Sequence, residues 1–175
     1  MARAPYPGSK AAKNALAPAV LGFSRANCSV GRTLEIVGER WTILVLREAF
    51  YGVRRFDEML SAVGCARNIL SDRLAKLLDE GVLRRTPYRD DGQRERYEYR
   101  LTDKGLELFP VLLALLQWGD KWLADAKGPP VEVHHRACQT RVSVEIRCAE
   151  GHGPLGPRDT EPLPTAAARR LPRKG

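Results

Sequence analysis

The spacing of apolar residues changes abruptly at Gly81, and few folds accommodate that change. Before it, Leu70, Leu74, Leu77 and Leu78 line one side of a helix; at about 100° per residue, Asn68, Asp72, Ala75 and Lys76 fall on the other. After it the period drops to two. Residues 82–88 and 93–101 alternate as strands do, separated by Arg89-Asp90-Asp91-Gly92, whose Asp-Gly pair signals a hairpin turn. In the second strand Tyr97, Tyr99 and Leu101 share one face, while Arg94, Arg96, Glu98 and Arg100 share the other.

Three shorter helical patterns precede the leucine stripe. Val30, Leu34 and Val37 repeat at three- and four-residue steps over residues 28–37 and stop at Gly38. Residues 41–50, with Ile43, Leu44, Val45 and Leu46, form a more hydrophobic helix suited to the core and closed by Gly52. Phe56, Met59, Leu60 and Val63 mark a third, with Asp57 and Glu58 on its polar side and Gly64 as its break.

Beyond the hairpin, Thr102 is an N-cap for a long helix running to about residue 126. That helix carries two apolar stripes: Leu106, Phe109, Leu113 and Leu116 form one, and Leu108, Leu112, Leu115, Trp118 and Trp122 the other. A single domain has one core to cover, so the second stripe requires a second surface, most simply the same helix of another subunit. A homodimer is expected. Pro110 removes one backbone hydrogen bond, so the helix should kink near residues 106–110.

At 175 residues the chain holds one ordinary domain with tails. No stretch approaches the roughly 20 apolar residues of a membrane span. The apolar run at residues 15–23 is interrupted by Pro18 and Gly22, which makes a poor signal peptide, so the cytoplasm is the expected compartment. Four irregularly spaced cysteines do not form a disulfide framework.

The net charge of +8 lies outside the patterned region: residues 1–27 carry +4, residues 127–175 carry +4, and residues 28–126 hold 16 basic and 16 acidic residues. Phosphate binding by the middle of the chain therefore demands that its charges segregate onto one face. The divisions follow: a flexible basic arm over 1–27, a folded domain over 28–126, and over 127–175 a linker, a small hairpin and a disordered basic tail. In the hairpin, Val142, Val144, Ile146 and Cys148 alternate with polar residues and would pair with residues 131–138.

The element order of helix, helix, helix–turn–helix, hairpin and long helix is that of a winged helix-turn-helix domain, an α+β fold that is mostly α. A recognition helix needs an apolar face for anchorage and an opposite face of polar side chains that enters the major groove. Asn68 and Asp72 project furthest from the leucines and are the expected base readers, since Asn pairs bidentately with adenine and Asp accepts from cytosine N4. Arg67, Ser71, Arg73 and Lys76 flank them as expected phosphate contacts, and Arg94 and Arg96 on the wing reach the backbone or minor groove.

An enzyme is not expected. The chain has no P-loop, no Gly-x-Ser-x-Gly elbow, no His-Glu-x-x-His helix, and no histidine before His134. The reading is a sequence-specific regulator of transcription, a repressor acting on a double-stranded operator as a homodimer, with a thiol-reactive or small-molecule effector. The alternative is a winged-helix protein-interaction module, which Asp72, Asp79 and Glu80 would suit.

Several segments, in order and at matching spacing over residues 28–126, resemble the HxlR family of bacterial transcriptional regulators. They are Cys28-Ser29-Val30, Leu34, Val37-Gly38-Glu39-Arg40-Trp41-Thr42-Ile43-Leu44, Arg54-Arg55-Phe56-Asp57-Glu58-Met59, Leu70-Ser71-Asp72-Arg73-Leu74, Gly81-Val82-Leu83 and Tyr97-Glu98-Tyr99-Arg100-Leu101-Thr102-Asp103-Lys104-Gly105. The resemblance implies a dimer built on the first and last helices and bound to a pseudo-palindromic operator. Where the family usually starts its recognition helix with Ser-Pro, this chain has Ala66-Arg67, so the operator sequence does not carry over.

Cys28 stands at a helix start, where unpaired N–H groups favour a thiolate, with Arg32 one turn on. The resemblance implies a sensor of quinones, aldehydes or oxidants there; the plain reading is a helix-start cysteine with no switching role. Cys65 is read as a packing residue. No cofactor is expected, with one open alternative: a hairpin that gathers His135, Cys138, Cys148 and His152 around zinc. The tight Cys-x-x-Cys knuckle is missing, and a metal-free ribbon or an ordinary hairpin fits the same residues.

Overall fold

In the computed structural model, Ser24, residues 26–89 and residues 94–170 are described. Nearly all of the expected N-terminal arm, the hairpin tip at residues 90–93, and Arg173 and Lys174 lie outside them. The elements run α1 (Ser29–Val37), α2 (Arg40–Phe50), α3 (Phe56–Val63), α4 (Arg67–Asp79), β1 (Leu83–Tyr88), β2 (Arg96–Leu101), α5 (Asp103–Leu106) and α6 (Phe109–Trp122).

The core forms where the periodic stripes meet. Val45 and Leu46 of α2, Met59 and Val63 of α3, and Leu70, Leu74 and Leu77 of α4 are buried in one cluster with Val82, Leu83 and Tyr99. Leu60 is only partly buried at its edge. At roughly 25 cal/mol per Å² of apolar surface, each such leucine contributes about 1.5–3 kcal/mol. Gly64, at φ 70°, turns the chain between α3 and α4 through the left-handed region that glycine enters without steric cost.

The strands pair antiparallel with Leu83 opposite Leu101 and Tyr88 opposite Arg96, so the alternation read from the sequence holds. The chain before α3 extends this sheet: the Tyr99 N–H donates to the Arg54 carbonyl at 2.8 Å, and Arg55 bridges to Glu98. Thr102 caps α5, its Oγ1 accepting from the Gly105 N–H at 3.1 Å and its hydroxyl donating to the Gly81 carbonyl at 2.7 Å. A Cβ on Gly105 would stand 2.3 Å from the Val82 carbonyl oxygen, so this close approach needs glycine.

Expectations for the C-terminal half are corrected. The long helix is not kinked but divided: α5 ends at Leu106, and α6 begins at Phe109 with Pro110 in its first turn. A proline fits that position because the first N–H groups of a helix have no intrahelical partner. The second helix ends at Trp122, short of residue 126.

The compact unit reaches Cys28–Val144, past the expected boundary at 126. The Gln117 side chain of α6 holds the added segment, donating to the Val142 carbonyl at 2.8 Å and accepting from the Val144 N–H at 3.0 Å, while Arg141 pairs with Asp120 at 2.9 Å. The hairpin expected within residues 131–148 reduces to one bridge, His134 with Arg141.

A second unit holds the described residues on either side of that body. Residues 151–170, expected to lack order, carry turns, among them Asp159 N–H to Gly156 carbonyl at 3.0 Å and Ala168 N–H to Thr165 carbonyl at 3.0 Å. Asn27 donates from Nδ2 to the Ala167 carbonyl at 3.1 Å.

Candidate nucleic-acid interface

The site is built on α4. Its buried face is Leu70, Leu74 and Leu77; Asn68, Ser71, Asp72 and Ala75 on the opposite side are exposed. A turn closed by Gly64 sets α3 before it, so Arg67 at the first turn of α4 reaches back to Asp57 at 2.9 Å and lies over the Phe56 ring at 4.9 Å from its centroid. Both charges of that pair are well exposed, so the contact orients Arg67 more than it stabilises the fold. Ala66 is the N-cap and supplies no side-chain acceptor.

Arg73 is corrected. Its side chain is only 18% exposed and is ion-paired with Glu39, the N-cap of α2. It ties the recognition helix to α2 and is withdrawn from the phosphate-contact set. Lys76, expected on the polar side with Asn68, Asp72 and Ala75, is half-buried in the last turn of α4.

Arg84, Arg96 and Arg100 share the polar face of the wing, with Arg84 directly opposite Arg100. Arg100 is held by Glu98 at 2.5 Å; Arg84, Arg94 and Arg96 are exposed. On that same face Arg55 covers the Tyr88 ring at 4.4 Å, and on the other Arg85 lies over Tyr99. Sequence reasoning gave no role to Arg54 and Arg55, although the doubled arginine before α3 was its signal; the sheet brings them to the base of the wing. Within the neutral 28–126 region, Arg47, Arg73 and Arg100 are each paired with a glutamate, which leaves Arg84, Arg94 and Arg96 as exposed charges of the wing.

Part of the apolar stripe expected at a dimer interface is exposed. Leu115, Trp118 and Trp122 are 51, 58 and 62% exposed, and Val30 and Leu34 of α1 are exposed as well. Leu112 is half-buried. Leu108 is corrected: it is the N-cap residue of α6 and packs on the core cluster.

Cys28 is the exposed N-cap of α1, and Cys65 packs against the core. The tail residues form two separate pairs, His135 Nδ1 with Cys138 Sγ at 3.1 Å and Cys148 Sγ with His152 Nδ1 at 3.3 Å. Hydrogen bonds from Thr140 and then from His135 bring the Cys138 thiol down to about 7. Among the described residues, no three His, Cys, Asp or Glu side chains are grouped to hold a metal ion.

A polar-faced helix behind a Gly turn, a two-stranded wing and a helix with an outward apolar seam place this fold among winged-helix regulators. The model of the HxlR-like helix-turn-helix family matches residues 36–127, more than half of the chain. The chain belongs to the HxlR family. Rv3095 of Mycobacterium tuberculosis, named an uncharacterised HTH-type transcriptional regulator, is 44% identical over 136 residues, 78% of this chain and 85% of that one.

Similar solved structures include two transcription-factor candidates. PA1607, described as a candidate transcription factor, superposes with a TM-score of 0.70 at 37% identity over 79% of this chain and 96% of its own. PA1374 of Pseudomonas aeruginosa, described likewise, gives 0.54 at 36% identity over 81% and 94%. This HxlR-family chain is therefore an HTH-type transcriptional regulator, and its family implies DNA binding. Its relatives are regulators rather than enzymes, and no helix among the described residues is long and apolar enough to cross a membrane.

Proposed function

We propose that this HxlR-family protein is a homodimeric repressor that reads a pseudo-palindromic operator, acting in the cytoplasm on the nucleoid. One observation carries the reading. The polar face of α4 and the apolar seam of α6 are both exposed on one unit, so the chain offers a groove-reading surface and, separately, a surface for a second copy. In the dimer Leu115, Trp118 and Trp122 meet their counterparts with α1 alongside, and the two α4 helices enter successive major grooves.

Asn68 and Asp72 read bases; Arg67, Ser71 and Lys76, with Arg94 and Arg96 on the wing, hold phosphates. Binding-site selection with Asn68→Ala and Asp72→Ala checks this assignment. Each variant should lose about 1–3 kcal/mol of discrimination at one operator position. Unchanged preference in both would refute the assignment and favour a protein-interaction module.

Cys28, exposed at the start of α1, is the proposed entry point of a thiol-reactive signal. Its modification would act by altering the α1 contacts that set the separation of the recognition helices. Cys28→Ser should abolish oxidant-induced release from the operator. Undiminished release would end that part of the reading.

A further inference from the structure

A cavity of about 520 Å³ opens between α2, α6 and residues 131–136, within the size range of small-molecule sites. Its walls include Leu44, Phe50, Phe109, Leu113, Leu116 and Val133, with the Phe50 and Phe109 rings 5.4 Å apart. Such walls suit a flat apolar body. The polar groups of the cavity lie mainly along one side, on residues 132–136.

The charges of those groups do not cancel. Arg47 is held by Glu48, its Nε donating at 2.7 Å. Glu132 accepts from His134 Nε2 at 3.0 Å and faces Arg141 at 3.5 Å, and these contacts keep its carboxyl below the usual range. The second ring nitrogen of His134 meets the Gln139 carbonyl at 2.6 Å. Both nitrogens thus face acceptors, an arrangement that favours the imidazolium and raises the histidine pKa, led by the Glu132 hydrogen bond. Arg136 has no ion-pair partner among the described residues. One guanidinium at an apolar mouth is left to be neutralised by whatever enters.

We infer that this cavity is an effector site for an aromatic monocarboxylic acid, its ring between α2 and α6 and its carboxylate on Arg136. The two helices that line it have different duties. Through Val45, Leu46 and the Glu39–Arg73 pair, α2 is packed on the recognition helix, whereas α6 carries the exposed seam. An occupant that prefers one spacing of α2 and α6 therefore biases the position of α4 relative to the dimer axis. This consequence rests on the regulator reading above; the binding site itself does not.

The test is calorimetry on the full chain with 2-naphthoate and, as the uncharged counterpart, 2-naphthalenemethanol. Naphthoate should bind at least about tenfold more tightly than the alcohol, a difference of about 1.4 kcal/mol. Arg136→Ala should remove that preference while leaving the alcohol's affinity unchanged. Val133→Trp, which fills the cavity from the loop side, should abolish binding of both.

Absence of heat with naphthoate, equal affinity for the alcohol, or naphthoate binding undiminished in Arg136→Ala would overturn the site. Naphthoate that binds only by dissociating the dimer would show that a second copy occupies the cavity, and would overturn it too. Naphthoate should also change operator affinity in the parent protein and not in Val133→Trp; binding without that change would remove the regulatory role. Calorimetry needs no DNA, so failure to bind any operator would count against the regulator reading and leave the site standing.

Discussion

Helices α4 and α6 are nearly equal in length, 13 and 14 residues, and both carry leucines at helical spacing, yet they are solved by different partners. In α4 three leucines are buried and the remaining face is polar. In α6 only Leu113 is buried, and two tryptophans and Leu115 remain in the open. The first helix finds its hydrophobic complement inside its own chain; the second does not. A stripe of apolar residues therefore reports that a surface must be covered, and only the fold reveals whether the cover is intramolecular.

That contrast sets the expected effects of substitution. Leu74→Ala in α4 removes a side chain that is 1% exposed, and should cost about 2–5 kcal/mol in denaturant unfolding. A loss within experimental error would mean that α4 is not anchored as described. Trp118→Glu in α6 should leave the fold of the single chain intact and weaken self-association by about 2 kcal/mol or more, roughly thirtyfold, in sedimentation equilibrium. If it unfolded the chain instead, the seam would belong to the core.

The smallest effect separates two arginines that the sequence treats alike. Arg96→Ala should reduce the slope of log affinity against log salt by about 0.9, the share of one phosphate contact. Arg73→Ala should leave that slope unchanged and lower stability, since its charge is spent on Glu39. Equal salt slopes for the two variants would return Arg73 to the DNA-facing set.

Most of the architecture was legible because it depends on local period and turn chemistry. The leucines at 70, 74 and 77, the glycines that close α3 and α4, and the alternation of 96–101 each follow from neighbouring residues. Arg73 was not legible: a helical wheel places it on a flank, and only the packing of α2 on α4 brings Glu39 within reach. Pro110 was ambiguous for a related reason, since a proline inside a long apolar pattern reads equally as a kink or as a first turn.

The segment 131–144 was hidden by distance in the sequence. Its attachment depends on one amide, Gln117, which reads as a polar interruption of the α6 stripes until both of its hydrogen bonds are seen. The cavity beside that segment has no local signature at all, because its walls come from three separated stretches. The wing arginines lay between these extremes: their alternation was plain, while the addition of Arg54 and Arg55 to the sheet required the fold.

The proposed pairing of two α4 helices on one duplex is tested most directly by hydroxyl-radical footprinting of the full chain on a selected operator. Two protected patches centred about 10–10.5 base pairs apart, or a multiple of that spacing, with pseudo-twofold symmetry, are predicted. A single protected patch that persists at saturating protein, or none, would contradict it.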